Sequence, residues 1–94
     1  MGFQWDGTKS AANEAKHDVS FPEATLVFRG RFLSRQDLRR DYGEARFIAL
    51  GMSQGRLLRV VYTQRNGDIR IISAWKASRH DRKIFEREEQ HRPV

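Results

Sequence analysis

The spacing of apolar residues changes character about a third of the way along the chain. Phe3-Gln4-Trp5 alternates apolar and polar and predicts a short strand. Asp6 can then cap a helix over Lys9–Lys16, whose apolar positions are only Ala11, Ala12 and Ala15, so it is expected to pack closely. Ser20-Phe21-Pro22-Glu23 is a second helix start: a hydroxyl at the cap, proline in the first turn and glutamate three residues after the serine. That helix is predicted to reach Val27 or Phe28, with Phe21, Ala24, Val27 and Phe28 facing the core, and to end at Arg29-Gly30.

Beyond Gly30 the period becomes two. Arg31 to Ser34 reads as a weak strand and residues 35–43 as a charged loop. Arg46 to Leu50, Leu57 to Thr63 and Ile69 to Trp75 read as three stronger strands. Arg65-Asn66-Gly67-Asp68 carries the Asn-Gly pair of a two-residue hairpin, and Ser53-Gln54-Gly55 a looser turn. Ser78 followed by Asp81 opens a last helix over residues 79–91, with Ile84 and Phe85 as its large apolar anchors. The order β-α-α-β-β-β-β-α predicts an α+β fold: an antiparallel sheet of about four strands, two N-terminal helices and one C-terminal helix, with the helices on one face. Residues 1–94 read as a single domain without repeats or linkers. Alternation on the strand after Arg56 puts Arg59, Thr63 and Arg65 opposite Leu58, Val60 and Tyr62, and Arg70 and Lys76 are expected to share a side of the next strand. The sheet can therefore offer one core face and one cationic face, provided the register holds.

Composition narrows the chemistry. With 94 residues, 38% hydrophobic, one modest core is affordable. The absence of cysteine excludes disulfides, zinc–thiolate sites and thiol nucleophiles. No apolar run approaches the roughly 18 residues of a membrane span, and Met1-Gly2-Phe3-Gln4-Trp5-Asp6 lacks the layout of a secretory signal, so a cytoplasmic location is expected. The net charge is +6, with a pI near 10.5. It is uneven, since residues 29–65 alone carry +6 and every cation there is arginine, the side chain that grips phosphate in a planar fork. A basic middle of this kind points to a polyanion.

No HExxH motif occurs, His17, His80 and His91 fall on different elements, and Gly51 and Gly55 lack the Lys-Ser/Thr of a phosphate loop. No metal or other cofactor is expected. What remains is acid–base work beside a cationic field, which suits RNA because RNA supplies its own nucleophile, the 2′-hydroxyl. Such a nuclease needs a proton acceptor, a proton donor and cations around the phosphorane. The proton handlers on offer are His17, Glu44 and Tyr62; the charge stabilisers are Arg46, Arg65, Arg70, Lys76 and Arg79. Structural alternatives stand beside these roles: His17 as the cation at a helix end, Glu44 as an ion-pair partner, Tyr62 and Trp75 as core or interface area with base stacking the lesser option, Arg79 and Arg82 as a solvated helix coat. A non-catalytic module that binds nucleic acid or a partner protein is the alternative function.

The motifs Phe3-x-Trp5-Asp6-x-x-Lys9-x-x-x-Asn13-x-x-Lys16-His17, Val19-Ser20-Phe21-x-Glu23-Ala24, Asp41-Tyr42-Gly43-Glu44-x-Arg46, Val60-Val61-Tyr62-Thr63-x-Arg65 and Arg70-Ile71-Ile72-Ser73-Ala74 together resemble the BrnT family, over roughly residues 3–86. The resemblance implies a toxin of a bacterial type II toxin–antitoxin module, with a RelE-like fold, cleavage of RNA that halts translation, and neutralisation by a cognate, DNA-binding BrnA-like antitoxin in a 2:2 heterotetramer. Operator DNA would be reached only through that antitoxin, and no membrane is involved. Lys9, Lys16, His17, Glu44, Arg46, Tyr62, Arg65 and Arg70 match the family pattern. Trp75 stands where arginine is common, Asp81 and Phe85 where glutamate and tyrosine are frequent, and Asp18 where glycine is common. The expected site is thus His17, Glu44, Arg65 and Arg70 for catalysis, with Lys9, Lys16, Arg46, Arg59, Tyr62, Lys76 and Arg79 contacting RNA.

Overall fold

The computed structural model describes residues 2–90; His91 and the end of the predicted last helix lie outside them. The elements are β1 (Phe3–Gln4), α1 (Gly7–His17), α2 (Phe21–Thr25) continued by a 3₁₀ turn (Leu26–Arg29), β2 (Phe32–Gln36), β3 (Phe47–Ser53), β4 (Arg56–Arg65), β5 (Asp68–Lys76) and α3 (Arg79–Gln90). They form one five-stranded sheet in the order β1-β5-β4-β3-β2. The expected α+β class holds, but the sheet is mixed: β1 pairs parallel with β5, Phe3 opposite Ile69, while the other pairs are antiparallel. A two-residue strand can do this because Asp68 accepts from the Gly2 backbone N–H at 2.9 Å and from Gln4 at 3.2 Å.

Local signals placed the turns and helix starts. Asn66 and Gly67 both have positive φ, the primed turn whose twist matches the flanking strands. Gln54 and Gly55 do likewise, so the second turn is also a tight one, closing Ser53 opposite Arg56. Ser20 caps α2, and Ser78 and Asp81 exchange backbone and side-chain bonds at the start of α3.

One face of the sheet is the core. Val19, Phe21, Ala24 and Val27 pack onto Ala49, Leu58, Val60, Tyr62, Ile69, Ile71 and Ala74. At Gly51 a Cβ would lie 2.7 Å from Val27, so the 3₁₀ turn can sit directly on β3. Helix α1 packs differently from the alanine-led expectation: its alanines are exposed, and its buried residues are Ser10 and Asn13. Both work on backbone. Ser10 Oγ accepts from the Phe21 N–H at 3.0 Å. The Asn13 amide donates to the carbonyls of Val19 (2.8 Å) and Ala74 (2.7 Å) and accepts from the Ala74 N–H (3.3 Å). Because β1 pairs with β5 only as far as Arg70, Asn13 stands in for the missing strand at Ala74.

Two expectations about faces are corrected. Helix α3 does not join the other helices; it crosses the outer face, where Arg59 donates to Asp81 at 2.9 Å and a cleft of about 430 Å³ opens between His80, Ile84 and Glu88 on the helix and Leu33, Ile48 and Leu50 on the sheet. Arg70 and Lys76 also lie on opposite faces. Thr63 pairs with Arg70 and Tyr62 with Ile71, but Val61 pairs with Ser73, so the ladder skips Ile72 and the alternation shifts by one. Lys76 thereby joins the helix side, 3.6 Å from Asp18. Trp75 joins the outer face, opposite Arg59.

Candidate functional site

The outer face of β4 and β5 is where the predicted residues come together, at the hairpin end. Arg59, Val61, Thr63 and Arg65 alternate onto it from β4, and Arg70 is the cross-strand partner of Thr63. Thr63 Oγ1 donates to the Ala45 carbonyl at 2.7 Å, pulling the segment before β3 over the sheet and bringing Glu44 and Arg46 with it. Glu44 Oε1 accepts from Arg65 at 3.1 Å; its Oε2 lies 3.5 Å from Arg46 Nε, an ion pair without a hydrogen bond. That Nε is buried and has no hydrogen-bond partner among the described residues. The Arg46 guanidinium is held from another side by Tyr42, with its carbon 4.3 Å from the ring centroid.

The electrostatics follow from these contacts. The Arg65 hydrogen bond, followed by the charges of Arg65 and Arg46, holds the Glu44 carboxyl below the usual carboxylate range, so it is ionised at neutral pH. Arg70 differs from its neighbours: half-buried on β5, it has no acidic partner among the described residues. It lies one cross-strand step from Thr63 and diagonal to Arg65, about 7–8 Å between such positions. Glu44 thus joins the guanidinium groups of Arg65 and Arg46, and Arg70, one diagonal step across the strands from Arg65, has no acidic partner among the described residues.

The segment that carries Glu44 is built on a buried acid absent from the sequence-based site. Asp37 accepts two bonds from the Arg39 guanidinium at 2.8 Å and one from Tyr42 Oη at 2.9 Å. The Arg39 bond, outweighing the burial that opposes it, pushes the Asp37 pKa far down. A carboxyl depressed in the folded state contributes stability above its unfolded pKa, near 3.8, and loses it as pH falls below that value. Asp37→Asn is therefore expected to lower the melting temperature at pH 7 and to flatten its decline between pH 5 and 2. An unchanged acid profile in the variant would assign the loop's order to other groups.

The remaining expected residues disperse. His17 ends α1, its ring 5.9 Å from that of Trp75. Trp75 is five residues along β5 from Arg70, roughly 16 Å at the usual strand rise. His17 therefore does not join Glu44, Arg65 and Arg70. Lys9 and Lys16 are exposed on α1, on the helix side of the sheet. Lys76 is on that side too, and Arg79 is exposed at the start of α3. Tyr62 is in the core, 5% exposed, hydrogen-bonded to Ser34 at 2.7 Å and packed on Phe28 and Phe47, so it offers no surface to a nucleotide. Arg59 is spent on Asp81, with side chains 15% and 7% exposed. Arg56, which no functional expectation included, ties Asp18 and Glu23 together on the helix side.

Sequence reasoning missed Tyr42 as the shelf for Arg46, Asp37 as the organiser of the loop and Thr63 as its tether. The Asp41-Tyr42-Gly43 run was the available signal: Asp41 accepts from the Gly43 N–H at 2.9 Å, and Gly43 has φ +74, the chemistry of a built turn. Among the described residues no three metal-ligating side chains gather, and no helix is long and apolar enough to cross a membrane.

A family model for the ribonuclease toxin BrnT of type II toxin–antitoxin systems matches residues 5–81, a span that runs from before α1 into α3 and contains Glu44, Arg46, Arg65, Arg70 and Trp75. No curated protein matches the chain. Most of the sequence, including the whole guanidinium cluster, is thus covered by one family pattern, and the chain belongs to the BrnT family of ribonuclease toxins of type II toxin–antitoxin systems.

Proposed function

We propose that this chain is a metal-independent endoribonuclease whose reaction centre is the Glu44–Arg65–Arg70 cluster, with Arg46 beside it. The observation that carries the proposal is Arg70, without an acidic partner among the described residues, one diagonal cross-strand step from the Arg65 that holds the ionised Glu44 carboxylate. RNA lying across this end of the outer face presents a 2′-hydroxyl to Glu44. Oε1 is engaged by Arg65, and Oε2, ion-paired with Arg46 but without a hydrogen bond among the described residues, takes the proton. The 2′ oxygen attacks the adjacent phosphorus, the P–O5′ bond breaks, the 5′ oxygen leaves as a hydroxyl by taking a proton from water, and a 2′,3′-cyclic phosphate remains. A carboxylate held below its ordinary pKa is a weak base, so its proton transfer is worth less than usual. The burden falls on Arg65 and Arg70, which share the charge of the crowded phosphorane. Arg46, fixed by Tyr42, keeps Glu44 in place.

Type II membership implies an antitoxin partner. The finer reading is a BrnA-like, DNA-binding antitoxin in a 2:2 complex that covers this cationic face. Folded protein incubated with single-stranded RNA in excess EDTA is expected to fragment it, and stoichiometric antitoxin to stop the reaction. RNA bound in a salt-sensitive way but left intact would favour the non-catalytic nucleic-acid-binding alternative.

A further inference from the structure

On this RNA-cleaving reading of the outer face, we infer that Trp75 is a stacking platform for one unpaired base of the bound single strand, at the opposite end of β5 from the reaction centre. Three observations lead there. First, the bulge at Ile72 does something specific. Residues five apart on a regular strand face opposite ways, yet Arg70 pairs with Thr63 and Trp75 with Arg59, both outer-face positions. The skipped residue puts the indole on the same face as the uncommitted arginine, roughly 16 Å away. Second, the indole is only half-buried and lies outside the core cluster, and its N–H donates no hydrogen bond among the described residues.

Third, basic side chains border it. The Arg59 guanidinium, although paired with Asp81, places its carbon 5.9 Å from the indole centroid, and the His17 ring lies 5.9 Å from the indole ring. Lys16 adjoins His17 on α1 and Arg79 follows Trp75 by four residues at the start of α3; both are exposed, and neither has an acidic partner among the described residues. The nearby acids are already engaged: Asp81 by Arg59, and Asp18 by Arg56 and Lys76. An aromatic face framed by cations binds unpaired bases irrespective of sequence, because every base has a π-face and every linkage a charge. Bases in a duplex are already stacked, so the preferred ligand is single-stranded. His17 then serves as a neighbour of the platform, away from the bond that breaks.

The test uses the Trp5→Phe protein, in which Trp75 is the remaining tryptophan, and a 2′-O-methyl RNA hexanucleotide, which binds without a nucleophile for cleavage. Its addition is expected to quench Trp75 emission saturably. Trp75→Ala is expected to weaken binding about 5- to 100-fold, the range for loss of one base–aromatic stack, while Trp75→Phe retains most of the affinity and both variants melt near the parent temperature. Emission unmoved at saturating oligonucleotide overturns the platform, even if Trp75→Ala proves poorly folded. Unmodified RNA separates the two readings. Cleavage without quenching overturns the platform alone, whereas quenching without cleavage upholds it and contradicts the ribonuclease centre.

Discussion

Arg70→Ala is expected to slow single-turnover RNA cleavage about 100-fold or more, with little change in melting temperature. The magnitude is that of removing one preorganised donor from a developing oxyanion, about 10²–10³ in rate. The absence of a stability effect follows from Arg70's lack of an acidic partner among the described residues: no ion pair is broken and no carboxylate is orphaned. Arg65→Ala is expected to match it in rate but to differ in a second respect. Arg65 gives Glu44 its only hydrogen bond among the described residues and heads the causes of its lowered pKa, so the acid limb of the pH–rate profile should move up towards the ordinary carboxylate range. Lysine at either position keeps the charge but loses the planar fork, and should restore activity only partly. Rates within a few-fold of the parent for both alanine variants would misplace the phosphate.

The largest effect on stability is expected from a residue with no part in the chemistry. Asn13→Ala leaves the Val19 and Ala74 carbonyls and the Ala74 N–H without their side-chain partner, at a site 8% exposed. Unsatisfied buried backbone groups cost about 1–3 kcal/mol each, and water can recover some of them at the strand edge, so a loss of about 2–4 kcal/mol is expected. For a domain of this size that is a fall of roughly 10–25 °C. Asn13→Asp, isosteric but without the two donated bonds, should be nearly as damaging. Denaturant midpoints check both, and a loss under about 0.5 kcal/mol would mean that β5 does not need this cover. Cleavage per folded molecule, measured well below the transition, should be unaffected.

These two residues also mark what was legible in the chain and what was not. The expectation that His17 joins Glu44, Arg65 and Arg70 fails on distance: charge and residue type are visible in a sequence, but the roughly 16 Å of β5 between Arg70 and Trp75, the neighbour of His17, is not. Glu44 as an ion-pair partner was one of the alternatives at the start, and the structure supplies that partner in Arg65. Turn and cap chemistry was readable because it is local: Asn66-Gly67, Ser20 with Glu23, and Ser78 with Asp81 each specify their own backbone. Period-two alternation placed Arg59, Thr63 and Arg65 on one face of β4 correctly.

The misses are non-local. Helix α1 looked alanine-packed because apolar residues are taken to mark the buried face, whereas here that face repairs a sheet edge and needs hydrogen-bonding atoms. The skip at Ile72 leaves no signature in an apolar run, yet it exchanges the faces of Lys76 and Trp75. The position of α3 turned on Arg59 and Asp81, which look like surface charges until paired across 22 residues. Tyr62 illustrates the converse: a motif residue with a phenol suggests chemistry, but its hydroxyl bonds to Ser34 and its ring packs in the core.

In the proposed reaction the outer-face arginines promote attack by the RNA's own 2′-hydroxyl, with the protein supplying the proton acceptor. The most direct measurement is cleavage, in EDTA, of an oligoribonucleotide in which only the nucleotide 5′ to the scissile phosphate is 2′-deoxy. This bond is expected to stay intact while the all-ribose control is cut to 2′,3′-cyclic phosphate ends. Cutting of the deoxy-substituted bond at a comparable rate would contradict it, because the nucleophile would then have to come from elsewhere.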